Sequence, residues 1–124
     1  MATRSYTEYV GVNQYKRGII IVKWTGLLNG DTGIPYPGAF FPDKSVHIYG
    51  TLGAGGTIII QGSNDQDLTT TNYITLNDPA NNALSFTAAG LKAVMENTFL
   101  IRPNVTAGDG TTNLTCIVVM ETSR

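Results

Sequence analysis

The chain has 124 residues, of which 42% are hydrophobic and 14% charged, with eight Lys+Arg against nine Asp+Glu for a net charge of −1. That length supports one domain with one core, and the near-neutral balance excludes nucleic-acid binding through a basic face. A single Cys and a single His exclude an internal disulfide framework, Cys-based zinc sites and two-His metal motifs.

Residues 1–17 carry Tyr6, Tyr9 and Tyr15 among polar side chains with no clean period, and are read as an irregular N-terminal arm preceding a single β-sandwich domain over 18–124. Arg4, Glu8, Lys16 and Arg17 interrupt this segment, so no secretory signal is read there. The longest aliphatic run, Ile19–Val22, is far too short to span a membrane. From there on Thr, Ile and Val dominate, and Gly, Pro and Asn punctuate. Strands are predicted at 18–25, 45–52, 57–63, 72–76, 83–87, 98–106 and 113–122. The stretch 26–44 holds Asn29-Gly30-Asp31 and then Pro35, Pro37 and Pro42 around Tyr36, Phe40 and Phe41. It is expected to be a long irregular loop, functional or held by a partner. Gly53-Ala54-Gly55-Gly56 reads as a hairpin loop. Asn77-Asp78-Pro79 with Asn81-Asn82, and Gly108-Asp109-Gly110, read as turns. Leu91, Val94 and Met95 share a face at helical spacing behind a capping Thr87, which predicts one short helix near 88–96. The whole is therefore expected to be all-β, a jelly-roll-like antiparallel β-sandwich with that helix closing one end.

Alternation along the strands splits each into two faces. Ile20, Val22 and Trp24 share one face of the first long strand, and Ile19, Ile21 and Lys23 share the other. In the last strand Leu114, Cys116, Val118 and Met120 oppose Ile117 and Val119. A sandwich strand in a lone monomer is apolar on one side only. Two accounts of the second apolar face follow. Either the helix, the N-terminal segment and the long loop cover it, or a second subunit does. Ile19, Ile21, Ile117 and Val119 are accordingly candidate contact residues. So are Tyr36, Phe40 and Phe41, whose proline-restricted segment loses little entropy on docking.

No catalytic constellation assembles. Cys116 lies mid-strand among apolar neighbours and reads as a small buried hydrophobe. His47 reads as an exposed or interface strand residue, since no nucleophile motif accompanies it. Asn64-Asp65-Gln66-Asp67 offers close oxygen ligands, but calcium-loop spacing is missing and a polar turn is the expectation. The glycines at 53, 55 and 56 lack the Lys and Ser/Thr of a phosphate loop. Trp24 reads as core, Tyr36, Tyr49 and Tyr73 as places for ligand contact, and Arg102 as an ion-pairing strand residue. Neither cofactor nor metal is expected, and the chain does not read as an enzyme.

Four stretches carry a likeness: TIIIQGSND at 57–65, YITLND at 73–78, LSFTAAGLKAVMENTFLIRP at 84–103 and GDGTTNLTCIVV at 108–119. In this order, over roughly residues 20–120, the chain resembles the small head-decoration or cement proteins of tailed bacteriophages. The resemblance implies a jelly-roll-like sandwich that binds the outside of an assembled phage head as a homo-oligomer, dimer or trimer. Its partners would be further copies of itself and the major capsid protein, with neither nucleic acid nor membrane. Its place would be the outer surface of the virion, after synthesis in the bacterial cytoplasm. The same rhythm is also similar to ligand-binding β-sandwiches, so a carbohydrate- or receptor-binding module of a phage tail is the alternative. The resemblance carries over no individual functional residue.

Overall fold

A run whose apolar side chains alternate with polar ones buries its apolar face only by pairing into a sheet. In the computed structural model, whose described residues are 1–10 and 18–122, twelve strands form. They are β1 (Thr3–Arg4), β2 (Tyr6–Val10), β3 (Ile19–Leu27), β4 (Thr32–Gly33), β5 (Tyr36–Pro37) and β6 (Asp43–Thr51). After these come β7 (Thr57–Ser63), β8 (Ile74–Thr75), β9 (Ser85–Phe86), β10 (Gly90–Val94), β11 (Leu100–Ala107) and β12 (Asn113–Glu121). One five-stranded sheet runs β10-β6-β12-β3-β2. A seven-stranded sheet runs β1-β4-β11-β7-β8, with β5 also on β11 and β9 also on β7. Pairing is antiparallel throughout except between β1 and β4.

The two sheets close on one core. The five-stranded sheet contributes Val22, Trp24 and Leu27 from β3, Val46 and Ile48 from β6, and Leu114, Cys116, Val118 and Met120 from β12. Ile58 and Ile60 of β7 and Ile101 and Val105 of β11 face them. Each such aliphatic side chain contributes roughly 1.5–3 kcal/mol by leaving water. Trp24 is wholly buried and donates its indole N–H to the Ile34 carbonyl at 3.0 Å, which satisfies its one polar atom.

Among the connections that cross between the sheets at one end are 28–31, 52–56 and 108–112. The second and third are stitched together. Asp109 accepts from the Ala54 amide at 2.8 Å, and the Thr112 hydroxyl donates to the Leu52 carbonyl at 2.8 Å. Gly53 makes this approach possible: its φ is 75°, and a Cβ there would run into the Asp109 carboxylate. The first crossing is held by buried Asp31, which accepts from the Leu28 amide at 2.9 Å, the Ala2 amide at 2.8 Å and Arg4 Nε at 2.7 Å.

An all-β, jelly-roll-like sandwich is therefore the fold, with four corrections of detail. The segment expected as a helix near 88–96 is β10, paired with β6 from Gly90↔Ile48 to Val94↔Lys44. A helix of two turns containing Gly90 is marginal by itself, whereas a five-residue ladder satisfies the open edge of β6. Among the described residues there is no helix. The irregular reading of the N-terminal segment fails for residues 3–10, which form β1 and β2 and add to both sheets, while 11–17, Tyr15 included, lie outside the described residues. The stretch 26–44 is not wholly loop, because β4 and β5 pair with β11. The turn at 53–56 is not a hairpin: β6 and β7 lie in different sheets, and it carries the chain across.

Candidate interaction surfaces

Cross-strand register fixes which side chains lie side by side on the outer face of the five-stranded sheet. One row reads Ala93, Ser45, Val119, Ile21 and Tyr9 across β10, β6, β12, β3 and β2. The next row reads Leu91, His47, Ile117, Lys23 and Thr7. On the other side of the first row, Glu121 pairs with Ile19. The four aliphatic residues singled out from the sequence, Ile19, Ile21, Ile117 and Val119, thus occupy neighbouring positions on one face. Each is half-buried within its own chain. Three residues that sequence reading did not place there extend the patch: Tyr9, Tyr49 and Leu91, the last 65% exposed. Leu91 was masked by its helical spacing; read as a strand, Leu91 and Ala93 fall on one side by simple alternation. His47 sits in this face with its ring 5.2 Å from that of Tyr49, so the sole histidine points away from the interior.

The proline-rich segment divides. Tyr36 turns inward, 6% exposed, with its ring 5.3 Å from Tyr6 and its hydroxyl donating to Glu8. Burial, and then the Glu8 carboxylate, push its phenol pKa well above the ordinary tyrosine range. Phe41 is half-buried against the core. Phe40 alone of the three is open, at 77% exposure, with its ring edge-on to Phe41 at 5.2 Å. It stands at the sandwich end opposite the stitched crossings. There the Gly38 amide donates to the Phe99 carbonyl at 3.0 Å and Asn97 Nδ2 donates to the Ala39 carbonyl at 2.8 Å. These bonds set the loop bearing Phe40 beside the segment bearing Met95 and Phe99, both exposed.

The outer face of the seven-stranded sheet is polar. Arg102 Nε donates to Gln61 Oε1 at 3.1 Å, and the Tyr73 ring lies 3.7 Å from the Arg102 guanidinium. The expected ion pair at Arg102 is not what forms; stacking and an amide oxygen hold it instead. The Tyr73 hydroxyl is buried without a hydrogen-bond partner among the described residues.

Other candidate residues serve the fold. Burial of the Cys116 thiol pushes its pKa far above the ordinary value, which holds it as the unreactive thiol. Asp65 and Asp67 spend their oxygens on their own loop: Asp65 accepts from the Thr70 hydroxyl at 2.8 Å and Asp67 from the Thr69 amide at 2.9 Å. Among the described residues no three His, Cys, Asp or Glu side chains gather where one metal ion could be held. No described helix is long and apolar enough to cross a membrane.

No family profile and no curated protein matches the sequence. Solved structures do resemble it. The SPBc2 prophage-derived protein YomS aligns over 87% of this chain and 98% of its own, with a TM-score of 0.61 and 12% identity. An oxalate oxidase aligns over 94% of this chain with a TM-score of 0.52 and 12% identity, but this chain spans only 49% of that protein. A cupin 2 domain-containing protein of Halorhodospira halophila aligns over 96% of this chain and 64% of its own, with a TM-score of 0.47 and 10% identity. At these identities the likeness is one of fold.

Proposed function

We propose that this chain is a structural protein of a phage particle, a decoration or cement protein that binds the outer surface of the head as a homo-oligomer and stabilises it. The observation that carries this reading is the outer face of the five-stranded sheet, where Ile19, Ile21, Ile117 and Val119 lie together with Tyr9 and Leu91 around them. A sheet face of that composition is built to be covered. The match to a prophage-derived protein over nearly its full length accords with the same reading. A protein that binds the assembled shell better than free subunits shifts the equilibrium towards assembly, and a symmetric oligomer adds avidity without stronger single contacts. The major capsid protein is the partner, and the end bearing Phe40, Met95 and Phe99 is the surface offered to it.

The test is co-sedimentation of the purified protein with empty heads assembled from the major capsid protein encoded nearest to this gene. Saturable binding and a higher melting temperature of the decorated heads are expected. Purified protein that stays in the supernatant at tens of micromolar would sink the reading. A second reading, a carbohydrate- or receptor-binding module of a phage tail, draws on the polar outer face with Gln61, Arg102 and Tyr73. Binding on a glycan array, lost in Arg102→Ala, would favour it.

A further inference from the structure

We infer that the outer face of the five-stranded sheet pairs with the same face of a second copy about a two-fold axis passing near Ile21 and Val119. This rests on the oligomeric reading above and adds the partner, the face and the symmetry. Three observations carry it. The first is chemical: the centre of the face is Ile21, Val119 and Ile117, with Ile19, Tyr9 and Leu91 beside them.

The second is the placement of charge. Lys23 lies level with Ile117, on one side of the Ile21–Val119 row, and Glu121 lies level with Ile19, on the other. An ion pair joins Arg4 to Asp31 away from this face, at the crossing end. Lys23 and Glu121 are on neighbouring strands but four residues apart in register, about 14 Å along the strand, too far to pair within one chain. The midpoint between them falls on the Ile21–Val119 row. A two-fold axis over that midpoint, lying in the plane between the two faces and across the Lys23–Glu121 line, sets Lys23 of each copy over Glu121 of the other, so two ion pairs flank an apolar centre. An isologous interface requires this self-complementarity.

The third is size. Five strands about 4.8 Å apart and a β12 of nine residues rising about 3.4 Å each give a face of about 24 by 30 Å. That is about 700 Å², close to the ~800 Å² per partner of a standard-size interface.

The arrangement makes a prediction that no other use of the face makes. Lys23→Glu places two like-charge contacts in the dimer of that variant, and Glu121→Lys does the same with opposite sign. Each variant alone is expected to dimerise at least about tenfold more weakly than wild type. A mixture of the two restores both contacts, because one copy then carries two acids and the other two bases. Native mass spectrometry of the mixture should show a mixed dimer as dominant as the wild-type dimer. If either single variant does not fold, Lys23→Gln and Glu121→Gln take its place, each expected to weaken the dimer and remove its salt dependence between ~50 and ~500 mM NaCl. Single variants that dimerise like wild type, a mixture that stays monomeric, or neutral variants with undiminished salt dependence each overturn the inference. A protein that dimerises in this way but leaves empty heads bare instead overturns the particle reading alone.

Discussion

Asp109 shows how much a single carboxylate does in this fold. It accepts from the Thr111 hydroxyl at 2.6 Å, the Ala54 amide at 2.8 Å and the Thr111 amide at 2.8 Å. Those bonds lower its pKa from 3.8 to about 2. The folded value lies below the unfolded one, so ionised Asp109 contributes stability above about pH 4 and loses it as pH falls through 2. Asp31 acts in the same direction. Burial pushes its pKa up, but hydrogen bonds from Leu28, Arg4 and Ala2 outweigh that and hold it below the ordinary range. Thermal melts between pH 5 and 2 should therefore show a falling melting temperature, and Asp109→Asn should lower the pH 5 value and flatten the dependence. Cys116 tests burial from another side. Its thiol should react with an aromatic disulfide reagent only on unfolding, and Cys116→Ser should cost about 1–3 kcal/mol by placing a hydroxyl in apolar surroundings. Phe40 is the contrasting case. Its exposure predicts that Phe40→Ala changes stability by no more than about 0.5 kcal/mol, and on the proposed particle reading the same change should reduce binding to heads by several-fold, measured by sedimentation. The side chains of Trp24 and Cys116 were legible as core from their neighbours. That Tyr36 points inward and Phe40 outward was not, since prolines around both remove the alternation by which faces are read.

The elements divide by how strong their local signal is. β7 falls at 57–63, as the sequence predicts, because an isoleucine run is bounded by glycines on both sides. β3, β6, β11 and β12 fall within two residues of expectation, each being rich in β-branched residues. β4 and β5 are two residues each and owe their existence to the edge of β11, which no local pattern reveals. β10 is the instructive failure: Leu91, Val94 and Met95 satisfy a helical period, yet the unpaired edge of β6 decides the outcome. Gly90→Ala separates the two possibilities. In a helix it would stabilise by about 0.5–1 kcal/mol. In β10 the added Cβ meets the Phe86 ring at 3.2 Å, so the melting temperature should not rise and far-UV circular dichroism should show no gain in helix. β12 carries two of the four aliphatic residues at the centre of the outer patch, and there alternation placed them on the outer face correctly. If the proposed oligomer forms through this face, Ile117→Asp with Val119→Asp should make the protein monomeric in light scattering while β12 keeps its inner side chains in the core. An oligomer of unchanged mass would place the contact on another face.

At the scale of the molecule, the proposed reading assigns two surfaces to different partners: the flat apolar sheet face to a second copy, and the end with aromatic tips to the shell. Sequence alternation disclosed that second faces were apolar, but only the strand order puts Ile21 beside Val119 and sets Lys23 and Glu121 on opposite sides of them. That order has a further consequence. In the five-stranded sheet β12, the last strand among the described residues, lies between β6 and β3, so it divides β10-β6 from β3-β2. Until β12 arrives, these are two separate ribbons, and two-stranded ribbons are marginal in water. Without β12 the molecule has a slot rather than a sheet, and the core can close only when that strand occupies it. The slot should accept that strand from outside. A chain cut after Gly110 should remain largely unfolded, and a peptide of residues 111–122 added in trans should restore its near-ultraviolet circular dichroism around Trp24, a neighbour of Cys116 across the β3–β12 ladder.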